Sequence, residues 1–198
     1  MQIDPATPIS QVSFAAIDFE SAGVRQGETD VPIQVGWGFL QNGEIDPRRF
    51  FRRYLFTDKP VTWSARQVHG IRKDHLEEAE RFDHYWPELK KQLGPCVLVA
   101  HGHGTEKKFL QQFPGHGLGP WVDTLTLARR WCKGLESHRL ATVVGGLDQE
   151  EALRELCPEY DWHDALFDAV GCLVILKKMI ESGDLADRAV SLLLERDH

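Results

Sequence analysis

The sequence is poor in cysteine: its four, Cys96, Cys132, Cys157 and Cys172, stand far apart and form no CxxC pair. That spacing argues against a zinc finger or a redox dithiol, and reduced, mostly buried thiols are the expectation. Long apolar runs are missing too. The longest, AVGCLVIL at 169–176, falls far short of the roughly 18 residues that a membrane helix needs. MQIDPATPIS has neither a basic stretch nor an apolar core, so it does not read as a signal peptide, and a cytoplasmic, membrane-free protein is expected. Basic residues are in the minority as well: 30 Asp plus Glu stand against 23 Lys plus Arg, a net charge of -7. A general basic coat for nucleic acid is therefore excluded, and any phosphate binding must be local or carried by cations.

What remains is globular. A chain of 198 residues with 42% hydrophobic and 27% charged residues has enough apolar surface for one sizeable core. QVSFAAID at 11–18 and PIQVGWGFL at 32–40 have strand character. Asn42-Gly43 then marks a hairpin turn into a third β-like run, EIDPRRFFRRYLF. WSARQVHGI and DHLEEAERFDHYWPELKKQL have helical spacing, and CVLVAH at 96–101 reads as a buried strand. TEKKFLQQF is the helix after it, WVDTL a brief strand or turn, and TLARRW and LATVVGGL are short helices. WHDALFDAVGCLVILKKMIE keeps an apolar face over five turns and stops before Ser182-Gly183. LADRAVSLLLERD, within 183–198, is expected to form a terminal amphipathic helix. The order β-β-β-α-β-α-β-α-α predicts a single α/β domain with an antiparallel hairpin edge and parallel strands.

Asp18 and Glu20 end the first strand at positions i and i+2, so both side chains face the same way. Two neighbouring anions repel unless a proton or cation lies between them, and their hard oxygens suit Mg²⁺ or Mn²⁺. The alternative for the pair is a solvated strand end. His163 and Asp168 open the long helix. On a continuous helix they would lie about 140° apart, so they share a site only if His163 precedes the helix; Asp164 and Asp168 are the pair simple helix geometry favours.

Taken together these segments resemble the DEDDh 3′-to-5′ exonucleases of the ribonuclease H-like superfamily, which includes polymerase proofreading subunits and oligoribonucleases. Ile17-Asp18-Phe19-Glu20 is similar to the first motif, VAHGHGTEKKFL at 99–110 to the second, and HDALFDA at 163–169 to the third. VHGI at 68–71 and VDTL at 122–125 are similar to ancillary segments in the same order. The resemblance covers nearly the whole chain. It implies a mixed five-stranded sheet flanked by helices, and release of nucleoside monophosphates from 3′ ends of single-stranded DNA or RNA. It also implies two divalent ions, Mg²⁺ or Mn²⁺, held by Asp18, Glu20, Glu106 and Asp168, with His163 taking a proton from the attacking water. Phe19, His69 and His101 would meet the substrate, and a polymerase or a second copy of the chain is the protein partner the family suggests.

The second motif departs from the pattern. Glu106 stands where the family usually has Asp, and Gly102 replaces the usual Asn after His101. The alternative function is accordingly a catalytically impaired module that binds nucleic acid or protein. Asp123 is a substitute ligand or, by its position before Thr124, a helix cap. RRFFRR at 48–53 suits phosphates and stacked bases by composition, yet alternation along a strand would scatter its arginines over a solvated edge; ARRWCK with His138 forms a second basic patch. The GHG of the second motif also resembles part of a dinucleotide fingerprint, but Lys107 takes the third glycine position. His101 and His103 as the start of a zinc site find no matching cluster.

Overall fold

Strand β1, Phe14–Ser21, carries the first motif through the middle of the sheet. The computed structural model describes residues 3–24 and 29–195. β1 pairs antiparallel with β2, Pro32–Gln41, in a register that sets Asp18 opposite Gly36 and Glu20 opposite Gln34. On its other edge β1 runs parallel to β5, Val97–Ala100, which is parallel in turn to β6, Trp121–Asp123. β3, Glu44–Ile45, and β4, Phe51–Tyr54, both pair with β2. The sheet therefore has six strands in the order β3-β2-β1-β5-β6, with β4 beside β2, where five were expected. The extra strand has a local cause. Asp46 caps a 3-10 turn at Pro47–Arg49, and Pro47 has no N–H to continue a ladder, so the run after the hairpin breaks in two.

Helices cover both faces. The first helical segment expected after Thr62 is α1, Trp63–His69, and the second is divided into α2, Lys73–Leu76, and α3, Phe82–Leu93. Gly70 closes α1 in the left-handed conformation, at φ 69°. α4, Gly104–Leu110, follows β5, and α5, Thr124–Trp131, follows β6. α6, Leu140–Gly146, and α7, Glu150–Leu156, precede the long α8, Ala165–Ser182. Alternation along β1 sorts its side chains: Ala15, Ile17 and Phe19 pack toward Leu89, Leu93 and Phe109, while Phe14 and Ala16 pack toward α8. Asp18 and Glu20 continue the α8 face. Twelve residues of α8 are buried, so it is a core helix, apolar nearly all round.

α8 sits directly on β2. A Cβ added at Gly36 would lie 2.2 Å from the Leu166 backbone nitrogen, so only glycine lets the start of the helix approach this strand. The expected terminal helix is not formed over 183–195; 196–198 lie outside the described residues. Instead the segment bends back, with Ala189 bridging Pro8, and makes one 3-10 turn at Val190–Leu192. Its backbone bonds go to the N-terminal segment, Val190 N–H to Thr7 O at 2.8 Å and Ile9 N–H to Arg188 O at 2.9 Å. Val190 and Leu193, three apart, thereby reach the core without a helix. No helix among the described residues is long and apolar enough to cross a membrane.

Candidate active site

Three elements meet where β1 ends. β1 supplies Asp18 and Glu20, the first turn of α8 supplies Asp168, and the turn before α8 supplies His163. His163 is not helical: its φ is 65°, in the left-handed region, and Asp164 is the N-cap that starts α8. One donor atom each from Glu20, His163 and Asp168 lies within 4.8 Å of the others. Glu106, in the first turn of α4, is buried at 5% exposure, and its charge is the largest one acting on Asp18. Residues 18, 20, 106, 163 and 168 thus border one spot.

Electrostatics there are unfavourable without a counter-charge. Burial first, then the charges of Glu106, Asp168 and Glu20, holds the Asp18 carboxyl well above the usual range. Burial, with Asp168, Asp164 and Glu106, pushes Glu20 up to about 8. Glu106 and Asp168 are each pushed up to about 7, by burial aided by Asp123 for the former and by Asp164 and Asp161 for the latter. No basic side chain among the described residues pairs with any of the four. Asp168 Oδ1 is buried with no hydrogen-bond partner. Buried polar atoms are ordinarily satisfied, so an orphaned carboxylate oxygen beside three further acids is one that could take a cation. The carboxylate oxygens of these four acids suit a hard divalent ion.

Asp164 does not join this set, although helix spacing favours its pairing with Asp168. One of its oxygens caps Leu166 N–H at 3.1 Å; the other accepts from Arg52 Nε at 2.6 Å and Gln34 Nε2 at 2.9 Å. Gln34, 1% exposed, also accepts the Ala165 N–H at 2.8 Å, so it stitches β2 to the first turn of α8. Asp123 is a cap: it accepts from Gly102 N–H, Leu125 N–H and Thr126 Oγ1, at 2.8, 2.9 and 2.8 Å, which leaves it committed to α5.

The remaining expected site residues divide. His101 lies 3.0 Å from Thr124 Oγ1 through Nδ1 and 2.7 Å from the His138 carbonyl through Nε2, and it lines the cleft that holds His163 and Asp168. His69 accepts the Ile71 N–H at Nδ1, at 3.0 Å, so its Nε2–H donates to Ser21 O at 3.1 Å, tying α1 to the end of β1. The Phe19 ring is buried on the opposite face, edge-on to Phe82 at 5.2 Å and Phe109 at 5.5 Å. Its side chain packs, and only its backbone faces the acids' end of the strand. His103 turns to Glu195, at 2.9 Å, away from His101, so the two histidines do not build a zinc site.

The cleft has a volume of about 770 Å³. Asp168 and His163 line it; Arg129, His138 and Arg139 give it basic groups, and Leu125, Leu140 and Trp162 give it apolar ones. Arg129 and His138, two members of the second basic patch expected from the sequence, therefore line the cleft that Asp168 borders. RRFFRR does not: Arg48 pairs with Asp46 at 2.9 Å, Arg49 lies over Phe39, Arg53 over Phe51, and Arg52 turns inward to Asp164.

A family model described as exonuclease, RNase T, matches residues 15–176. The chain belongs to that family. A DNA polymerase III PolC-type protein of Halalkalibacterium halodurans is 28% identical over 185 residues, 91% of this chain and 12% of the relative. The 3′-5′ exonuclease DinG of Bacillus subtilis is 27% identical over 172 residues, 84% of this chain and 18% of the relative. This exonuclease-family chain thus spans less than a fifth of the curated relatives named. Its fold matches exonuclease X in complex with 5′ overhanging duplex DNA, with a TM-score of 0.69, 20% identity, and coverage of 91% of this chain and 99% of that one. It matches equally the nuclease domain of 3′hExo, a DEDDh family member bound to rAMP, with a TM-score of 0.72, 16% identity, and coverage of 94% and 97%. The ribonuclease H-like mixed sheet expected from the three motifs is the observed fold.

Gln34 and Gly36 build the site beyond the residues expected from the sequence, and Arg52, expected with RRFFRR on a solvated edge, instead turns inward to Asp164. Gly36 and Gly38 in PIQVGWGFL carried a signal, since glycine inside a strand marks close backbone approach.

Proposed function

We propose that this exonuclease domain removes nucleotides from the 3′ end of single-stranded DNA or RNA by hydrolysis that depends on two divalent cations, Mg²⁺ or Mn²⁺. The observation that carries the reading is the meeting of Glu20, His163 and Asp168 within 4.8 Å around a carboxylate oxygen that has no partner. Asp18, Glu20, Glu106 and Asp168 would hold the cations. Divalent ions so held lower the pKa of water and neutralise charge on the leaving oxygen. His163, exposed to the cleft on a turn rather than locked in the helix, takes the proton as water oxygen bonds to phosphorus and the P–O3′ bond breaks. Arg129 and Arg139 offer charge to backbone phosphates, and Trp162 offers a ring face to a base.

Glu106 bears on the choice between an active and an impaired domain. Its carboxylate is buried beside Asp18 rather than turned to solvent, which supports its use as a ligand despite the longer side chain. The PolC-type relatives point to a DNA polymerase as the partner class. The test is digestion of 5′-labelled single-stranded DNA and RNA oligomers with added Mn²⁺ or Mg²⁺. The reading predicts a ladder shortening from the 3′ end with release of nucleoside monophosphates, lost with chelator and in Asp18→Ala and Asp168→Ala. Binding of the oligomer with no mononucleotide product would contradict it.

A further inference from the structure

We propose that Arg52 is a positioning residue that acts through Asp164 to hold the His163 imidazole over the cluster of acids. The inference rests on the reading of His163 as the proton acceptor. His163 has φ 65°, a conformation that side chains with a Cβ rarely adopt, so its neighbours must impose it. Asp164 is the neighbour with the hold. Its backbone N–H bonds back to Asp161 O at 3.1 Å, while its carboxylate is fixed by Arg52 at 2.6 Å, Gln34 at 2.9 Å and Leu166 N–H at 3.1 Å.

Arg52 is itself immobilised. Its guanidinium lies 4.6 Å from the Tyr54 ring centroid and 4.9 Å from that of Tyr160, and its second nitrogen donates to Tyr54 Oη at 2.9 Å. The side chains of Arg52 and Asp164 are only 22% and 14% exposed, which leaves the guanidinium little freedom to grip a substrate phosphate. Arg52 is opposite Gly36 in the β2–β4 register, and Gly36 is where the start of α8 meets the sheet. The pair therefore clamps the turn carrying His163 to the sheet carrying Asp18 and Glu20. A planar guanidinium held between two rings can do this, whereas a lysine offers neither the fork nor the stacking.

The test compares Arg52→Lys in two backgrounds, wild type and His163→Ala, together with NMR of histidine imidazoles in 15N-labelled protein. The proposal predicts that Arg52→Lys lowers kcat about tenfold with KM within twofold, and that the same change adds less than a twofold loss once His163 is Ala. An equal loss in both backgrounds, or a loss expressed as higher KM, would overturn it. In the NMR arm, which needs no turnover, Arg52→Lys should shift or broaden the His163 signals while those of His101 stay in place. An unmoved His163 spectrum overturns the proposal even if the wild type cleaves. A wild type without nuclease activity but with the His163 shift keeps the clamp and removes the exonuclease reading instead.

Discussion

Asp168→Asn removes one of four crowded charges at almost constant volume, and the chain without metal is predicted to become more stable at alkaline pH. Asp168 is pushed from 3.8 to about 7 by folding. Because the folded form holds its proton to higher pH than the unfolded one, stability is present in full below 3.8 and drains away as pH rises to about 7. At about 1.4 kcal/mol per pKa unit the penalty has a ceiling near ~4 kcal/mol, and relaxation and solvent bring it to on the order of 2 kcal/mol. For a chain of this size 1 kcal/mol moves Tm by roughly 2–4 °C, so the variant should melt about 4–8 °C above wild type at pH 8 in chelator. At pH 3.5 the difference should vanish. Cation binding should reverse the order: at about a hundredfold excess over Kd, the wild type gains roughly 2.7 kcal/mol, while the variant, having lost a ligand, gains much less. Scanning calorimetry at the two pH values, with and without Mn²⁺, measures all of this. An Asn variant that melts below wild type in chelator at pH 8, or that gains as much from Mn²⁺, would mean that Asp168 carries neither the charge penalty nor the cation.

Glu106→Gln should abolish cleavage, because the amide loses the charge, whereas Glu106→Asp should keep or raise the rate; single-turnover assays in Mn²⁺ decide it. Gly36→Ala should cost at least about 3 kcal/mol, at the upper end of overpacking penalties, because its Cβ would meet backbone of α8 at 2.2 Å rather than a yielding side chain; urea unfolding measures it. Arg129→Ala and Arg139→Ala should each weaken single-strand binding and reduce its log–log salt slope by about 0.7, as read by fluorescence anisotropy across a salt series.

Much of the site was legible because its chemistry sits at ends of strongly patterned elements. Alternation in QVSFAAID put Asp18 and Glu20 on one face, and the condition that His163 precede its helix is the geometry seen, with Asp164 as the cap. What was not legible depends on partners distant in sequence. Nothing local says that Gln34 and Arg52 will bond residue 164, more than a hundred positions on. The sixth strand and the missing terminal helix fail for related reasons: Pro47 breaks a run that looks continuous, and the pairing of residues 5–10 with 186–191 outweighs a helical apolar spacing.

Whether these acids bind metal is decided by anomalous diffraction from a crystal soaked in Mn²⁺. Manganese peaks are expected among the carboxylates of Asp18, Glu20, Glu106 and Asp168, with Asp168 Oδ1 among the ligands. A map with no peak there at saturating Mn²⁺, in a crystal where the four side chains keep the arrangement described, would contradict that expectation.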